Sequence, residues 1–405
     1  MKATLVFRYF WPETVLMNDI ARWLVEAGHE VEVLTGQPDY RPHLKMPRQP
    51  SRSVWNGATV RRLPLLPERG YGLVRAANGL LFVMLASAAI VFGRRRDVVW
   101  TTSIPPVVQA LALLLAAKLR GARFVYFLQD IYPDIAILMG IMKPGLLSRL
   151  LVALDRFVMN HADVVVVLSD DMIDVVRERG TRPRRLVAIN NFSAQEPVGE
   201  RAPRDEGGPA RFLFAGNVGR FQNLSTLVDV FARIDPAIAV LDILGEGREK
   251  AALEERVKDD GIQNVRFRPG VSSEEAFALM ADYDVGIVTL RPGLYRFAYP
   301  SKTFSYLAAG LPVLALVEPQ SALARDIEEH RLGVTAPWDV EMDRLVDIVV
   351  DMAARWRGAS TVESGRPLYS REAARRRWLD LFGTLETGQG HSSDISEQDR
   401  GGAEQ

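Results

Sequence analysis

The chain contains no cysteine in 405 residues, which removes disulfides and thiolate metal ligands and suits a reducing compartment. Histidine is scarce, and the five present are too scattered to suggest a metal cluster. The opening "MKATLVFRYFWPE" lacks the basic, apolar, small-residue order of a secretory leader. A Walker G-x-x-x-x-G-K-[ST] loop is missing, and so is the dinucleotide G-x-G-x-x-G fingerprint. No D-x-D carboxylate pair stands near a strand end. These gaps argue against P-loop chemistry, dinucleotide redox chemistry and an obligatory metal, so neither a metal nor a cofactor is expected.

What is present is core. With 48% hydrophobic and 25% charged residues, the chain suffices for two ordinary domains. Short apolar runs recur at 3–7, 31–35, 97–101, 123–128 and 163–168, several of them separated by helix-period segments. In "NDIARWLVEAGHE" Asn18 is placed to cap a helix, Ile20, Leu24 and Val25 share a face, and Gly28 stops it. After a turn-rich polar stretch at 190–210 the rhythm restarts with "RFLFAG", "AVLDIL", "NVRF", "DVGIVT" and "PVLALV". Continuous apolar strands alternating with helices predict parallel sheets covered on both faces. The fold expected is α/β, with two doubly wound domains at 1–195 and 196–369, facing across a cleft. A helix at 370–387 and a disordered, almost apolar-free tail at 388–405 complete the chain.

The zero net charge hides a local imbalance, because 41–96 holds eleven Lys or Arg against the single acid Glu68. Inside it lies "AANGLLFVMLASAAIVF", seventeen uncharged residues at 76–92 fenced by Arg75 and by Arg94, Arg95 and Arg96. Three readings stand open: a buried core helix, a helix lying in a membrane surface, or a membrane span just under the usual length. A basic run joined to a long apolar stretch, with no reading motif, argues against nucleic acid.

Two loops of the second domain look ready for an anion. "YPSKTFSYLAAGLPVLA" at 299–315 offers Ser301 as an N-cap, Lys302 opening a helix and Gly310 closing it. "FAGNVGRFQNLSTL" at 214–227 brings Gly216 and Gly219 into a turn followed by Arg220, whose fork suits phosphate oxygens. The pair around Gly245 in "GEGREK" is a weaker signal, more often a plain turn. Two anion-ready loops without a metal motif suit a diphosphate such as that of a nucleotide-sugar.

Taken in order, "YFWPE", "GHEVEVLTGQPDY", "LQDIYPD", "GNVGRFQNL" and "PSKTFSYLAAGLPVLA" resemble the retaining GT-B glycosyltransferases of family 4. The likeness is to the bacterial branch that assembles O-antigen, capsule and exopolysaccharide on lipid carriers. The resemblance implies a nucleotide-sugar donor on the C-terminal domain and a lipid-linked acceptor on the N-terminal domain. It also implies a last helix crossing back to the first domain, and peripheral attachment to the inner face of the plasma membrane through 71–96. The chain departs from the wider family at four places. Asn217 and Gln222 stand where an arginine and a lysine usually hold the diphosphate, and Phe297 and Ser305 replace two glutamates.

In such a family the departing diphosphate itself is thought to take the acceptor proton, so no carboxylate pair is required. Lys302, Ser301 and Arg220 would stabilise the charge, while Asp130 and Asn18, near strand ends of the first domain, would touch acceptor or donor sugar. The competing readings are an epimerase of the same fold and a catalytically silent sugar-nucleotide-binding partner.

Overall fold

The computed structural model describes residues 1–13, 16–38, 46–67, 73–196, 207–219, 222–358 and 369–387. The chain divides into two compact units, one of residues 1–190 together with those from Glu372 onward, the other Asn191–Arg371. The tail at 388–405 lies outside the described residues.

In chain order the first unit runs β1 (Lys2–Val6), α1 (Leu16–Glu26), β2 (Glu30–Thr35), β3 (Arg52–Trp55), β4 (Ala58–Arg62), α2 (Leu73–Val91) and β5 (Val98–Thr102). It continues with α3 (Val108–Leu119), β6 (Arg123–Phe127), α4 (Asp134–Leu138), α5 (Leu146–His161), β7 (Val164–Val167), α6 (Asp170–Glu178) and β8 (Leu186–Ala188). Its sheet has the order β3-β4-β2-β1-β5-β6-β7-β8. Every pairing is parallel except β3 with β4. The inner strands are apolar throughout because both of their faces are covered, as in β5 and β7, where every residue is buried.

Sequence patterning passed over the β3–β4 hairpin, although its Asn56–Gly57 turn, with φ of 44° and 82°, is the residue pair that a two-residue loop of this hand favours. Helix α1 starts at Leu16, so Asn18 lies inside its first turn. The Asn18 amide donates to the Glu13 carbonyl at 2.8 Å instead of capping the helix.

Helix α2 is buried on one face and exposed on the other. Asn78, Gly79, Phe82, Val83, Ala86 and Ile90 face inward, while Leu80, Met84 and the following Phe92 are exposed. Asn78 is fully buried and exchanges two hydrogen bonds with the backbone of Leu66, at 3.0 and 2.7 Å, which satisfies its amide within an apolar helix. Two of the segment's basic residues turn inward. Arg96 pairs with Glu32 at 2.6 Å, and buried Arg62 donates to the Trp11 carbonyl at 2.8 Å and Ser53 Oγ at 2.9 Å.

The second unit runs β9 (Ala210–Ala215), α7 (Leu224–Phe231), β10 (Ala239–Leu244), α8 (Lys250–Asp259), β11 (Val265–Arg268) and α9 (Ser273–Leu279). There follow β12 (Val285–Thr289), α10 (Lys302–Ala308), β13 (Val313–Leu316), α11 (Ala322–Glu329), β14 (Gly333–Ala336) and α12 (Met342–Trp356). Its six strands, in the order β11-β10-β9-β12-β13-β14, are all parallel. The chain winds outward from β9 to β11, then returns to β9's other side with β12. The strand order therefore reverses between β9 and β12, where doubly wound sheets bind ligands.

The last helix, α13 (Arg371–Thr387), packs within the first unit. Its Trp378 lies 4.9 Å from the ring of Trp100 and 5.1 Å from that of Phe127. Arg123 and Arg185 donate to the Leu385 carbonyl and to Thr384.

Candidate functional site

At the β9/β12 switch point three loops meet within the second unit. The turn after β9 is zippered to the loop after β10, with Gly216 N–H donating to the Leu244 carbonyl and Val218 N–H to the Glu246 carbonyl, each at 2.9 Å. Glycine is required on the β10 side for steric reasons. A Cβ on Gly245 would stand 1.8 Å from the Gly216 oxygen, and one on Gly247 would stand 2.0 Å from the Val218 oxygen. The modest "GEG" signal thus marks the second wall of the Gly216 turn.

The third loop delivers α10. The Lys302 side chain reaches over the first turn, with its Cε 3.6 Å from where a Gly216 Cβ would be, an ordinary van der Waals separation. Three expectations change here. Ser301 is exposed, adopts helical φ and ψ of −62° and −19°, and makes no capping hydrogen bond. Helix α10 has only seven residues, so the lysine carries more of the positive pole than the helix start does. Gln222 turns inward, and its amide nitrogen, correctly oriented, donates to the carbonyls of Asn217 at 3.2 Å and Gly219 at 3.0 Å. It braces the turn. Asn217 is exposed at the tip, beside buried Gly219, while Ser305 is half-buried one helical turn beyond Ser301. Arg220 lies outside the described residues. Gly310, at φ 73°, ends α10 as its position after the apolar run implied.

Two supports escaped sequence reasoning because only tertiary contact reveals them. Tyr306, one turn after Lys302, is fully buried, and its hydroxyl accepts the Ala215 N–H at 2.7 Å. Burial pushes that phenol above its usual range. Its ring lies flat on Gly286 of β12, where a Cβ would come within 2.3 Å. Just before the lysine, Tyr299 stacks on Phe304 with centroids 5.5 Å apart. Tyr299 and Tyr369 both donate to Asp326, at 3.3 and 2.5 Å, a carboxyl that burial pushes up. The lysine turn is thereby fastened on both sides. A recess lined by Glu254, Ile262 and Phe267 begins at the amino end of β11, away from these loops.

Asn18 and Asp130 belong to the first unit. Asp130 follows β6, and its backbone N–H is 3.4 Å from Ser103 Oγ. Burial pushes its carboxyl up to about 6. The "YPD" beside it is a structural anchor: Arg179 donates to the Tyr132 carbonyl at 2.9 Å, to Asp134, and to Asp155 at 2.6 Å.

Residues 14–191 match the glycosyl transferase 4-like domain family. Over 297 residues the chain is 29% identical to a probable glycosyltransferase, WbjE, of Pseudomonas aeruginosa, covering 69% of this chain and 72% of that protein. A putative colanic acid biosynthesis glycosyl transferase of Escherichia coli, WcaI, is 26% identical across 76% of this chain and 80% of its own. Among solved structures, sucrose-phosphate synthase of Thermosynechococcus elongatus superposes with a TM-score of 0.73 at 15% identity, covering 96% of this chain and all of that one. HepE of Anabaena, solved in complex with UDP-glucose, gives 0.67 at 14% identity over 95% of this chain and 100% of its own. The lipopolysaccharide glycosyltransferase WaaG gives 0.57 at 18% over 95% and 98%.

Proposed function

We propose that this protein, a glycosyltransferase of GT-B fold, moves a sugar from a nucleotide-sugar to a lipid-linked glycan acceptor in the synthesis of a bacterial surface polysaccharide. The observation that carries the reading is the convergence of Lys302 upon Gly216 beside the Gly245 wall, at the switch point of the second sheet. Bare backbone and an ammonium meet there, which is what a diphosphate requires. HepE, of like fold, has been solved with UDP and with UDP-glucose, and WcaI is named for colanic acid biosynthesis.

In the proposed reaction the bond between the sugar's anomeric carbon and the diphosphate breaks as the acceptor hydroxyl adds on the same face. The departing diphosphate takes the hydroxyl proton, so configuration is retained and no metal is obligatory. Lys302, aided by Arg220, stabilises the charge that grows on the leaving group. Asn217 and Ser305 border the diphosphate turn. Asp130 and Asn18 hold sugar hydroxyls, and Asp130, as a proton-holding carboxyl below about pH 6, is able to donate as well as accept.

The acceptor's lipid places the enzyme on the inner face of the plasma membrane. Support comes from three neighbouring helices of the first unit. Helix α2 packs on α3 and α3 on α5, and each leaves apolar side chains in solvent: Leu80 and Met84, Leu115 and Leu119, Leu146 and Leu150. Arg94 and Arg95 are exposed beyond the end of α2, suited to anionic lipid.

Lys302→Ala tests the site. Turnover should fall by about a hundredfold, the usual cost of one lost charge-stabilising donor, with the melting temperature unchanged. Turnover equal to the wild type would remove Lys302 from the mechanism. Stabilisation of the protein by UDP without any sugar transfer would instead favour the silent binding partner.

A further inference from the structure

We infer that Arg179 and Asp155 are positioning residues for Asp130: a buried pair that clasps both ends of the loop carrying it. This rests on the sugar-holding role proposed for Asp130 above and names what keeps that carboxyl in place.

The loop runs from 128 to 133, between β6 and α4. Tyr126 of β6 stands four positions before Asp130, and Asp134, which opens α4, four positions after it. Both ends reach the same pair. The Tyr126 hydroxyl donates to one carboxylate oxygen of Asp155 at 3.0 Å, and Arg179 donates to the other at 2.6 Å. The second terminal nitrogen of Arg179 donates to the Tyr132 carbonyl at 2.9 Å and to Asp134. Asp155 belongs to α5 and Arg179 directly follows α6, so β6, α4, α5 and the end of α6 are joined at one point. The side chains of Arg179 and Asp155 are 7% and 1% exposed.

A buried ion pair of this kind adds little net stability, because removing two charges from water offsets most of their attraction. Registry is what it supplies. Asp130 needs that help, since its backbone N–H lies 3.4 Å from Ser103 Oγ, longer than an ordinary hydrogen bond. Its place is set by the two clasped ends. The guanidinium is meanwhile engaged by Asp155 and Asp134, so the loop is fixed without lending Asp130 a cation, and burial holds that carboxyl at about 6. A group that must meet one sugar hydroxyl gains from such outer support, because small misplacements of a site residue are costly.

The test follows the titration of the Asp130 carboxyl carbon by NMR in the full chain, its signal being the one absent from Asp130→Asn. Wild type is compared with Arg179→Lys, which keeps the charge but loses the fork, and with Tyr126→Phe, which removes one hydroxyl. The wild-type midpoint should lie at about 6. In each variant it should fall toward the ordinary value of about 4, because a loosened loop admits water to the carboxylate. Tyr126→Phe decides the matter if Arg179→Lys fails to fold. An unmoved midpoint in the folded variants would leave a purely structural pair and overturn the inference, as would a wild-type midpoint already at about 4. Equilibrium binding of farnesyl-diphosphate-linked N-acetylglucosamine, with farnesyl diphosphate as the sugar-free control, connects the clasp to the acceptor. Asp130→Asn and Arg179→Lys should each weaken binding of the sugar-bearing probe by about tenfold, the loss of one charge-assisted hydrogen bond, and leave the control unchanged. The double variant should lose no more than either single one. Losses that multiply would mean that Arg179 does not act through Asp130, and would overturn the inference. If Asp130→Asn binds as the wild type does, the sugar-holding reading of Asp130 fails, while the clasp stands or falls on the titration alone.

Discussion

Asp130 carries a carboxyl in surroundings that favour its neutral form, with its folded value raised to about 6 by burial from an ordinary value near 4. The sign follows from proton binding. Between about pH 4 and 6 the native chain keeps a proton that the unfolded chain has released, so this group's contribution falls as pH rises through that window and remains unfavourable above it. Asp130→Asn should therefore stabilise the protein at pH 7.5 by roughly 1–3 kcal/mol, and the stability difference from wild type should shrink toward zero near pH 4. Chemical denaturation across that range checks it. Under the proposed mechanism, in which Asp130 holds a sugar hydroxyl, the same variant should also lower sugar transfer. Legibility differed among the neighbours. Lys302, Gly216 and Gly310 announced themselves by residue type and spacing, whereas Tyr306 reads in sequence as one more helix aromatic. Its role depends on Gly286 and Ala215, which no local pattern connects to it. Ser301 was misjudged because a serine just before a helix ordinarily caps it, and here the backbone has already turned helical.

Helix α2 shows what periodicity leaves open. Its 18-residue window Val74–Val91 has a mean hydropathy of 1.8, enough by length and composition to cross a membrane, yet 39% of that window is buried in the protein. Both faces are apolar, so sequence gave no stripe to tell inside from outside; contacts with α3 and the Asn78 clamp decide it. The outward stripe has a measurable role under the membrane proposal. Leu80→Glu with Met84→Glu should cut binding to phosphatidylglycerol vesicles by about tenfold or more, since two apolar side chains leave the lipid and two charges repel it. Sedimentation with vesicles reads the effect, and the melting temperature should hold because both positions are exposed. Counting basic residues overstated this surface, because a charge tally cannot tell that Arg62 and Arg96 satisfy interior acceptors.

The two-sheet architecture was legible from ten apolar runs, since parallel strands covered on both faces leave a signal that survives without any tertiary information. Short edge pieces such as β8 and β14, with three and four residues, fall below what such patterning resolves. The end of the chain contributes to the beginning: Trp378 of α13 is buried against Trp100 and Phe127, at the centre of the first sheet. Trp378→Ala should cost about 3–5 kcal/mol, and calorimetry should show the loss in the transition of the first unit. An unchanged first transition would mean that α13 is an ornament to that unit.

The hydroxyl of Tyr306 joins two elements of the second unit. It takes the final amide of β9 for a helix, so the strand that supplies the donor turn and the helix that supplies the lysine share a rivet made of a single proton. Under the donor proposal, a ligand that engages Lys302 is joined through this one hydrogen bond to a strand at the middle of the second sheet.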